Sequence, residues 1–289
     1  MTIFHKLFNK PANTRKNLDA DHEDTERAYA IIMRHANAAP MTIDTHVDPE
    51  TFKRLQNRVE DTWSRLGQED AHWSVITDEK FRKESLSSHI DQFFSMGDGD
   101  IARLDAALNR VGTSLSNIES AMDFGCGVGR LSVPMARSTG HVLGVDISAA
   151  HLREAKANVA RMGCQNIELV RASSIQDIKN LPEFELVLSL IVLQHNPPPV
   201  MLEILNALCS RVKPGGYLYV QAQTYRQGYR YCATDDLADT LDKMEMHVLP
   251  QHVFLETIQG AGLTILEVTE NGAAWDLSYK SQVVLARKR

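Results

Sequence analysis

From about residue 120 onward, seven short apolar runs alternate with amphipathic stretches, and glycine, proline or asparagine separates them. The runs are nearly unbroken, as in "FELVLSLIVL" (184–193), and do not alternate apolar with polar residues. Strands that are buried on both faces have this pattern, and they form parallel sheets covered by helices on each side. The sequence therefore predicts an α/β fold with a doubly wound, mostly parallel seven-stranded sheet, which binds ligands beyond the carboxyl ends of its strands.

The first hundred residues have a different pattern, in which apolar residues recur at the spacing of helices. The stretch "DEKFRKESLSSHIDQFFSMG" (78–97) predicts one of these helices, which we expect to end at Gly97. No chemical motif is found in this region. We therefore expect residues 1–98 to form an N-terminal helical appendage that covers a domain formed by residues 99–289.

The composition argues against a nucleic-acid partner, a disulfide framework and a membrane-spanning segment. The chain has a formal net charge of −6 and a pI near 6.0, whereas proteins that bind nucleic-acid backbones usually carry a basic excess. Its four cysteines show no C-x-x-C spacing, which indicates reduced thiols in a cytoplasmic protein rather than disulfides or a zinc site. No apolar run approaches the ~18 residues of a transmembrane helix. Residues 1–18, which we expect to be a loose tail or a short helix packed on the domain, lack the apolar centre of a signal peptide.

The stretch "MDFGCGVGRLS" (122–132) places three glycines in five positions directly after the first apolar run. Glycine weakens both strands and helices, so its presence here needs a local reason. In a strand-to-helix turn, side chains would hold a ligand away, whereas glycines let free backbone N–H groups approach it. The glycines therefore predict a cofactor site at the carboxyl edge of the sheet.

Two residues bear on which cofactor this site takes. The dinucleotide pattern G-x-G-x-x-G/A would put its third small residue at Arg130, where a long cationic side chain fits poorly. Asp146 closes the second apolar run, "HVLGVDIS" (141–148). An acid at that place accepts hydrogen bonds from a ribose diol and disfavours a phosphate on that ribose. Arg130 therefore disfavours a nicotinamide dinucleotide, and Asp146 favours a ligand that carries an unphosphorylated ribose diol.

Four stretches carry a resemblance to a known family: "AMDFGCGVGR", "GVDIS", "FELVLSLIVLQH" and "RVKPGGYLYV". They resemble the motifs of the class I S-adenosylmethionine-dependent methyltransferases, and the resemblance covers roughly residues 101–289. It implies a seven-stranded sheet whose last strand is antiparallel. It also implies S-adenosylmethionine as cofactor, S-adenosylhomocysteine as product and no metal.

The resemblance assigns roles along the cofactor. Asp123 and the glycine-loop backbone would lie along its methionine part, Asp146 would bind the ribose hydroxyls, and Ile147 would pack against adenine. Many members hold the adenine amino group with an acid after the third strand, but this chain has Ser173 or Ser174, which accept a weaker neutral hydrogen bond. The predicted cofactor-binding residues are Asp123, Phe124, Gly125, Cys126, Gly127, Gly129, Asp146, Ile147, Ser173, Ser174, Ser189 and Leu190.

The acceptor side is predicted from the residues that follow the fourth and fifth strands. His195 is the candidate general base for an oxygen acceptor, with packing or capping of the next helix as the alternative. Gln194 beside it is expected to have a steric or hydrogen-bonding role. Tyr225, Arg226 and Tyr229 would grip an anionic or sugar-like substrate near the acceptor mouth, or else form an ordinary surface loop. The stretch "HWSVIT" (72–77) would close the pocket from the N-terminal side or pack in the core.

The leading hypothesis is methyl transfer to a small molecule, at a hydroxyl group. Methylation of a protein or RNA, with the N-terminal helices as the docking surface, is an alternative, and the acidic balance argues against RNA. A non-catalytic sensor or scaffold that binds S-adenosylmethionine is another. A nicotinamide-dependent reductase is disfavoured by Arg130 and by the lack of a Tyr-x-x-x-Lys pair after the fourth strand. The oligomeric state and the acceptor stay open.

Overall fold

The computed structural model describes residues 25–26, 29–30, 33, 40–238, 244–271 and 278–289. The predicted tail, residues 1–18, lies outside these ranges. Within them, no helix has both the length and the apolar character needed to cross a membrane.

Between residues 40 and 110 the chain forms a short strand and two long helices. The strand β1 (Thr42–Ile43) precedes helix α1 (Pro49–Val75), and a 3₁₀ turn (Glu79–Phe81) leads into helix α2 (Lys83–Arg110). The carboxylate of Asp48 caps the start of α1, because it accepts hydrogen bonds from the backbone N–H groups of Glu50 and Thr51, each at 3.0 Å. Near its end, α1 is kinked at Asp70, whose φ of −159° and ψ of 87° are not helical.

Helix α2 corrects the prediction that a helix ends at Gly97, since it continues to Arg110. A Cβ atom at Gly97 would come within 2.2 Å of the carbonyl oxygen of Arg130. This glycine therefore allows close packing of α2 against the glycine loop and does not terminate the helix. Helix α2 also runs across the boundary predicted between residues 98 and 99, and the division into two regions stays a prediction.

The remaining elements alternate as expected from the apolar runs. They are β2 (Ser120–Phe124), α3 (Ser132–Ala136), β3 (His141–Asp146), α4 (Ala149–Arg161), β4 (Ile167–Arg171), α5 (Ile175–Lys179), β5 (Phe184–Ser189), α6 (Pro198–Ser210), β6 (Val212–Arg226), β7 (Arg230–Tyr231), α7 (Ala233–Ala238), α8 (Gln251–Gly260), β8 (Leu263–Asn271) and β9 (Tyr279–Lys288). Strands β1 and β7 pair with each other as a separate parallel ribbon.

The main sheet has seven strands in the order β4-β3-β2-β5-β6-β9-β8. The pairs from β4 to β6 are parallel, and β9 is antiparallel to both β6 and β8. The predicted fold class, with its antiparallel last strand, is confirmed. The chain winds outward from β2 to β4 and then returns to β5 on the other side of β2, so the topological switch lies between β2 and β5.

The sheet is covered on both faces, as the unbroken apolar runs predicted. Leu186 and Leu188 of β5 pack in a cluster with Leu104 of α2, whereas Val187 between them packs in the opposite cluster with Leu205 of α6. The alternation of side chains along a strand explains this division. Each face of β5 therefore has its own buried core, and only the ends of the parallel strands are left for a ligand.

Strand β5 is shorter than the apolar run that predicted it. It ends at Ser189, although the run extends to residue 193. Ile191 has a left-handed φ of 61°, and its N–H donates to Oε1 of Gln221 at 2.8 Å. A 3₁₀ turn (Leu193–His195) follows. The last four apolar residues of the run therefore form a turn at the carboxyl edge of the sheet.

Candidate functional site

A cavity lies at the carboxyl edge of the parallel strands, close to the topological switch. Its empty volume is about 1020 Å³, including the mouth that opens to solvent. The glycine loop, the ends of β3 and β4, the turn after β5 and helix α1 all line it. The predicted cofactor-binding residues found in its lining are Phe124, Gly125, Cys126, Gly127, Asp146, Ile147, Ser173, Ser174 and Leu190.

The glycine loop passes the cavity with bare backbone. Gly125 and Gly127 have φ values of 74° and 54°, a region that side-chain-bearing residues rarely adopt. A Cβ atom at Gly125 would come within 2.3 Å of Val192, and one at Gly127 within 2.7 Å of Val75. These glycines are therefore required both by their backbone conformation and by the close approach of neighbouring elements.

The loop is tied to the end of β3. The N–H groups of Gly125 and Cys126 donate to the carbonyl oxygen of Val145, at 2.7 and 3.0 Å. The N–H of Gly127 donates to Oδ2 of Asp146 at 2.8 Å, and the N–H of Ser148 donates to Oδ1 at 2.8 Å. Each carboxylate oxygen of Asp146 has a further lone pair, so this half-buried group can still accept hydroxyl groups from a ligand in the cavity.

Three predicted cofactor residues do not line the cavity: Asp123, Gly129 and Ser189. Asp123 is only 1% exposed, and its Oδ2 accepts a hydrogen bond from Oγ of Ser132 at 2.5 Å. Burial raises the pKa of Asp123 to about 6, against the stabilising effect of that hydrogen bond on the charged form. Asp123 thus supports the loop from behind, and its direct role toward a cofactor stays a prediction, as do those of Gly129 and Ser189.

The turn between β4 and α5 carries the two serines predicted to lie near adenine. The carboxylate of Asp177 accepts hydrogen bonds from the N–H groups of Ser173 and Ser174, at 3.0 and 2.9 Å. The Oγ of Ser174 accepts one in return from the N–H of Asp177, which completes a capping box. The hydrogen bond with Ser174 is the largest cause of the lowered pKa of Asp177. Asp177 therefore shapes this turn and does not act as a free acid.

Helix α1 forms the wall opposite the sheet, a role that the sequence did not indicate. Gln56, Val59 and Trp63 line the cavity from one face of the helix. The side chain of Gln56 donates to the carbonyl oxygen of Ser173 at 3.0 Å, which fastens the helix above the β4–α5 turn. The spacing of these residues is that of one helical face, but the same spacing also describes ordinary core packing.

The predicted closing segment, residues 72–77, contributes through Ser74 and Val75. Trp73 lies instead under the guanidinium of Arg82, which is 3.6 Å from its ring centroid. Oγ of Ser74 is 2.8 Å from Nε2 of His151, a cavity residue whose pKa is lowered by burial. No local sequence pattern indicated His151, because its place in the site depends on how α1 packs against α4.

His195 lines the cavity and is held in one tautomer. Its Nδ1 is 2.8 Å from the carbonyl oxygen of Glu245. A carbonyl oxygen can only accept, so Nδ1 carries the proton and Nε2 carries the lone pair. Burial lowers the pKa of His195 to about 4, so the imidazole is neutral at pH 7. The Trp63 ring packs edge-on against it, with centroids 5.3 Å apart.

Gln194 is buried in a polar network, and its Nε2 lies 3.5 Å from Nε2 of His195. Its Oε1 accepts hydrogen bonds from Nε2 of Gln221 and of Gln223, at 3.0 and 3.2 Å. Gln221 also accepts from the N–H of Ile191, the residue with the left-handed φ. Gln194 therefore helps to hold the turn after β5, and the structure does not place it in the cavity lining.

The predicted substrate residues Tyr225, Arg226 and Tyr229 do not line the cavity either. The guanidinium of Arg226 lies over the ring of Tyr279, 4.7 Å from its centroid. The hydroxyl of Tyr229 is 2.9 Å from Nδ1 of His247, and burial raises the pKa of this tyrosine. A substrate role for these three residues stays a prediction.

A smaller recess adjoins the cavity. Its empty volume is about 290 Å³, including the mouth that opens to solvent. The two spaces share Val59, Trp63 and His195 in their walls. The recess is completed by Arg58, Thr62, Pro197, Met244 and Glu245. His195 thus stands between a cavity that the glycine loop borders and a recess that helix α1 covers.

Among the described residues, Asp236, Glu245 and His247 bring potential metal-ligand atoms within 4.8 Å of one another. The guanidinium of Arg58 is bonded to both carboxylates. One arginine therefore already balances part of the negative charge of this group.

Comparison with known proteins identifies the kind of domain that contains the glycine loop and the parallel strands. Residues 121–216 match the family model described as a methyltransferase domain. The chain is similar to the ubiquinone biosynthesis O-methyltransferase of Marinobacter nauticus, with 35% identity over 104 residues, which is 35% of this chain and 42% of the relative. It is 26% identical over 159 residues to that of Acinetobacter baumannii, which is 52% of this chain and 66% of the relative. The match thus spans between two fifths and two thirds of these relatives' lengths.

Solved structures agree with the fold. Magnesium protoporphyrin IX methyltransferase from Synechocystis PCC 6803, solved with bound S-adenosylhomocysteine, superposes with a TM-score of 0.58 at 18% identity and covers 81% of this chain and 100% of its own. The N-methyltransferase NodS from Bradyrhizobium japonicum WM9 gives a TM-score of 0.52 at 16% identity, with 80% and 98% coverage. The resemblance that the motifs indicated is confirmed at the level of the domain and its fold.

Proposed function

We propose that this chain, which carries a class I S-adenosylmethionine-dependent methyltransferase domain, transfers a methyl group to a hydroxyl of a small molecule. The observation that carries the proposal is the hydrogen-bonded contact between the Gly127 backbone and the Asp146 carboxylate at the cavity. Bare backbone and a carboxylate with spare lone pairs are fixed to each other there by a 2.8 Å hydrogen bond. That pairing suits a ligand that combines a ribose diol with a group lying close against the main chain.

The lining residues fit S-adenosylmethionine, which supplies an activated methyl on a sulfonium whose leaving group departs neutral. Asp146 would accept the ribose hydroxyls, while Ile147 and Ser173 would lie beside the adenine. The methionine part would extend along the glycine loop toward Arg130. Arg130 is the one lysine or arginine among the described residues that line the cavity, so it would pair with the methionine carboxylate.

His195 would act as the general base. An oxygen acceptor must lose its proton as it attacks the methyl, and Nε2 of the neutral imidazole has a lone pair to accept it, which a long 3.5 Å contact with the amide nitrogen of Gln194 leaves open to exchange. Beyond that, methyl transfer requires alignment of the acceptor with the methyl group and exclusion of water. Helix α1 supports both, because Trp63 packs against His195 and covers the cavity.

Two features support a small-molecule acceptor. The recess beside His195 is small, about 290 Å³ with its mouth included, and is bordered by α1, so it suits a compact group better than a folded protein or an RNA helix. The relatives from Marinobacter nauticus and Acinetobacter baumannii are named O-methyltransferases, which supports oxygen as the methylated atom.

Binding calorimetry with S-adenosylmethionine, S-adenosylhomocysteine and NAD tests the cofactor. We expect both S-adenosyl ligands to bind and NAD to give no detectable binding heat. Asp146→Ala should weaken the binding of S-adenosylhomocysteine by about 1–3 kcal/mol, the range for losing a buried hydrogen-bond partner. Glu168→Gln, an exposed site on β4, should leave affinity unchanged. Binding of NAD alone would overturn the proposal.

A labelled-methyl assay tests the reaction, using cell extract separated into small molecules, protein and RNA. We expect label in the small-molecule fraction, and we expect His195→Ala to abolish it while S-adenosylhomocysteine still binds. Label confined to protein or RNA would favour that alternative. Cofactor binding without label in any fraction would favour a sensor. Undiminished turnover by His195→Ala would remove the general base from the proposal.

A further inference from the structure

The carbonyl that orients His195 belongs to a segment without regular secondary structure. Residues 244–250 cross above the turn after β5 and form neither helix nor strand. Two hydrogen bonds join the segment to that turn: Nδ1 of His195 to the carbonyl oxygen of Glu245 at 2.8 Å, and the N–H of His247 to the carbonyl oxygen of Gln194 at 2.7 Å. The tautomer of His195 therefore depends on what keeps this segment in place.

The side chain of Glu245 is held from two sides. One carboxylate oxygen is bonded to the guanidinium of Arg58 on α1, and the other lies 3.1 Å from Nε2 of His247. The second imidazole nitrogen of His247 is 2.9 Å from the hydroxyl of Tyr229. Burial alone would raise the pKa of Glu245, but the hydrogen bond with His247 and the charge of Arg58 outweigh it and keep the group ionised.

Arg58 also reaches the helix on the other side of the segment. It donates to the backbone carbonyl of Asp236 at 2.5 Å and lies 3.5 Å from its Oδ1. The side chains of Arg58, Asp236 and Glu245 are 20%, 14% and 18% exposed, so solvent screens this arrangement only in part. A planar guanidinium can bond several acceptors in fixed directions, which an ammonium group cannot.

We infer that Arg58 is a positioning residue: by anchoring Glu245 to α1, it fixes the carbonyl that holds His195 with its lone pair on Nε2. This inference rests on the proposed role of His195 as the base. Because Gln56, Val59 and Trp63 of the same helix line the cofactor cavity, seating of α1 over the cavity and orientation of the base occur together. The contacts that orient the base and the side chains that cover the cavity thus come from the same helix.

Arg58→Gln is the direct test, with Arg54→Gln as its matched control, because Arg54 lies one turn earlier on α1 and is exposed. We expect the tautomer of His195, followed by nitrogen NMR and assigned by comparison with His195→Gln, to change from pure Nδ1–H to a mixture. We expect kcat to fall at least 10-fold, with less than 3-fold change in KM and in S-adenosylhomocysteine affinity.

Two further variants separate the outcomes. Arg58→Lys should have an activity between those of Arg58→Gln and the wild type, because lysine keeps the positive charge but cannot bond several acceptors as the planar guanidinium does. Glu245→Gln keeps the backbone carbonyl, should fold even if Arg58→Gln does not, and should reproduce the tautomer change. An unchanged tautomer in Arg58→Gln, or in Glu245→Gln if the first variant is unstable, would overturn the inference. A changed tautomer with unchanged turnover would support the positioning role and remove His195 as the base.

Discussion

Arg130 carries a buried charge that packing alone does not explain. It is 4% exposed, and its guanidinium lies 2.5 Å from a carboxylate oxygen of Asp100 on α2. A buried ion pair gives little net stability, because both groups lose their hydration when they leave water. The same side chain borders the cavity. An anionic group on the ligand is therefore a better reason for a cation at this position than the stability of the fold.

The first prediction compares two ligands that differ in that anionic group. Arg130→Met should lower the affinity for S-adenosylhomocysteine by about 10- to 100-fold, the range for losing a hydrogen bond to a charged group. It should leave 5′-methylthioadenosine, which has no amino-acid part, within 2-fold of its wild-type affinity. Titration calorimetry of both ligands gives the result.

The exposed Arg137, which pairs with Asp98, supplies the control variant Arg137→Met. It should alter neither affinity. Equal loss of both ligands in Arg130→Met would mean that the substitution disturbs the loop and that Arg130 does not bind the carboxylate.

At the scale of elements, two glycines in α2 have different surroundings although they are two residues apart. A Cβ atom at Gly97 would meet the backbone of Arg130 at 2.2 Å, whereas one at Gly99 would meet only the flexible end of Arg103 at 3.8 Å. Both glycines lie within the helix. The first is therefore required by the packing of α2 on the glycine loop, and the second only lowers the stability of the helix.

The second prediction is that alanine at these two positions has opposite effects. Gly97→Ala should lower the free energy of unfolding by about 1–3 kcal/mol, as expected for overpacking against a backbone atom that cannot give way. Gly99→Ala should raise it by about 0.5–1 kcal/mol, the difference in helix propensity. Urea denaturation followed by circular dichroism measures both. A Gly97→Ala variant as stable as Gly99→Ala would show that α2 packs less closely than described.

The same helix indicates how far local sequence predicts the elements. The strands of the sheet were predictable because each is an unbroken apolar run with a turn residue beside it. The end of a helix at Gly97 was wrong, because a glycine that stops a helix and one that admits a neighbouring backbone look alike in sequence. The turn after β5 was likewise read as strand, since Gln221, which holds it, lies 30 residues away.

The site divides in a similar way. Gly125, Gly127 and Asp146 were predictable, because their chemistry depends on neighbours within one strand-turn-helix unit and the next strand. Trp63 and His151 were not, because they reach the cavity only through the packing of α1 against α4. A residue whose role comes from long-range packing leaves no local pattern to recognise.

At the scale of the whole molecule, the buried carboxyl of Asp123 opposes the stability of the fold near neutral pH. Its pKa rises from 3.8 to about 6 on folding, chiefly because burial disfavours the charged form. Below pH 3.8 both folded and unfolded states hold the proton, so Asp123 adds no pH dependence. Between pH 3.8 and 6 only the unfolded state releases it, and stability falls as pH rises. Above pH 6 the full loss is present, and two pKa units correspond to about 3 kcal/mol.

His72, His151 and His195 have the opposite effect on the pH dependence. Burial lowers the pKa of each, so in mild acid the unfolded state binds protons that the folded state does not. Their contribution to stability is lost as pH falls below about 6.5. The wild-type profile therefore sums opposing trends, and Asp123 is visible only in a difference between variants.

The third prediction isolates that difference with Asp123→Asn, whose amide can still accept the hydrogen bond from Ser132. The free energy of unfolding of the variant minus that of the wild type should increase by up to about 3 kcal/mol between pH 4 and pH 7, because only the wild type has to ionise a buried acid. The histidine contributions cancel in this difference. Urea titrations at half-unit pH steps provide the data. A flat difference for Asp123→Asn would mean that the carboxyl is ionised at no cost, and that water or a cation reaches it behind the glycine loop.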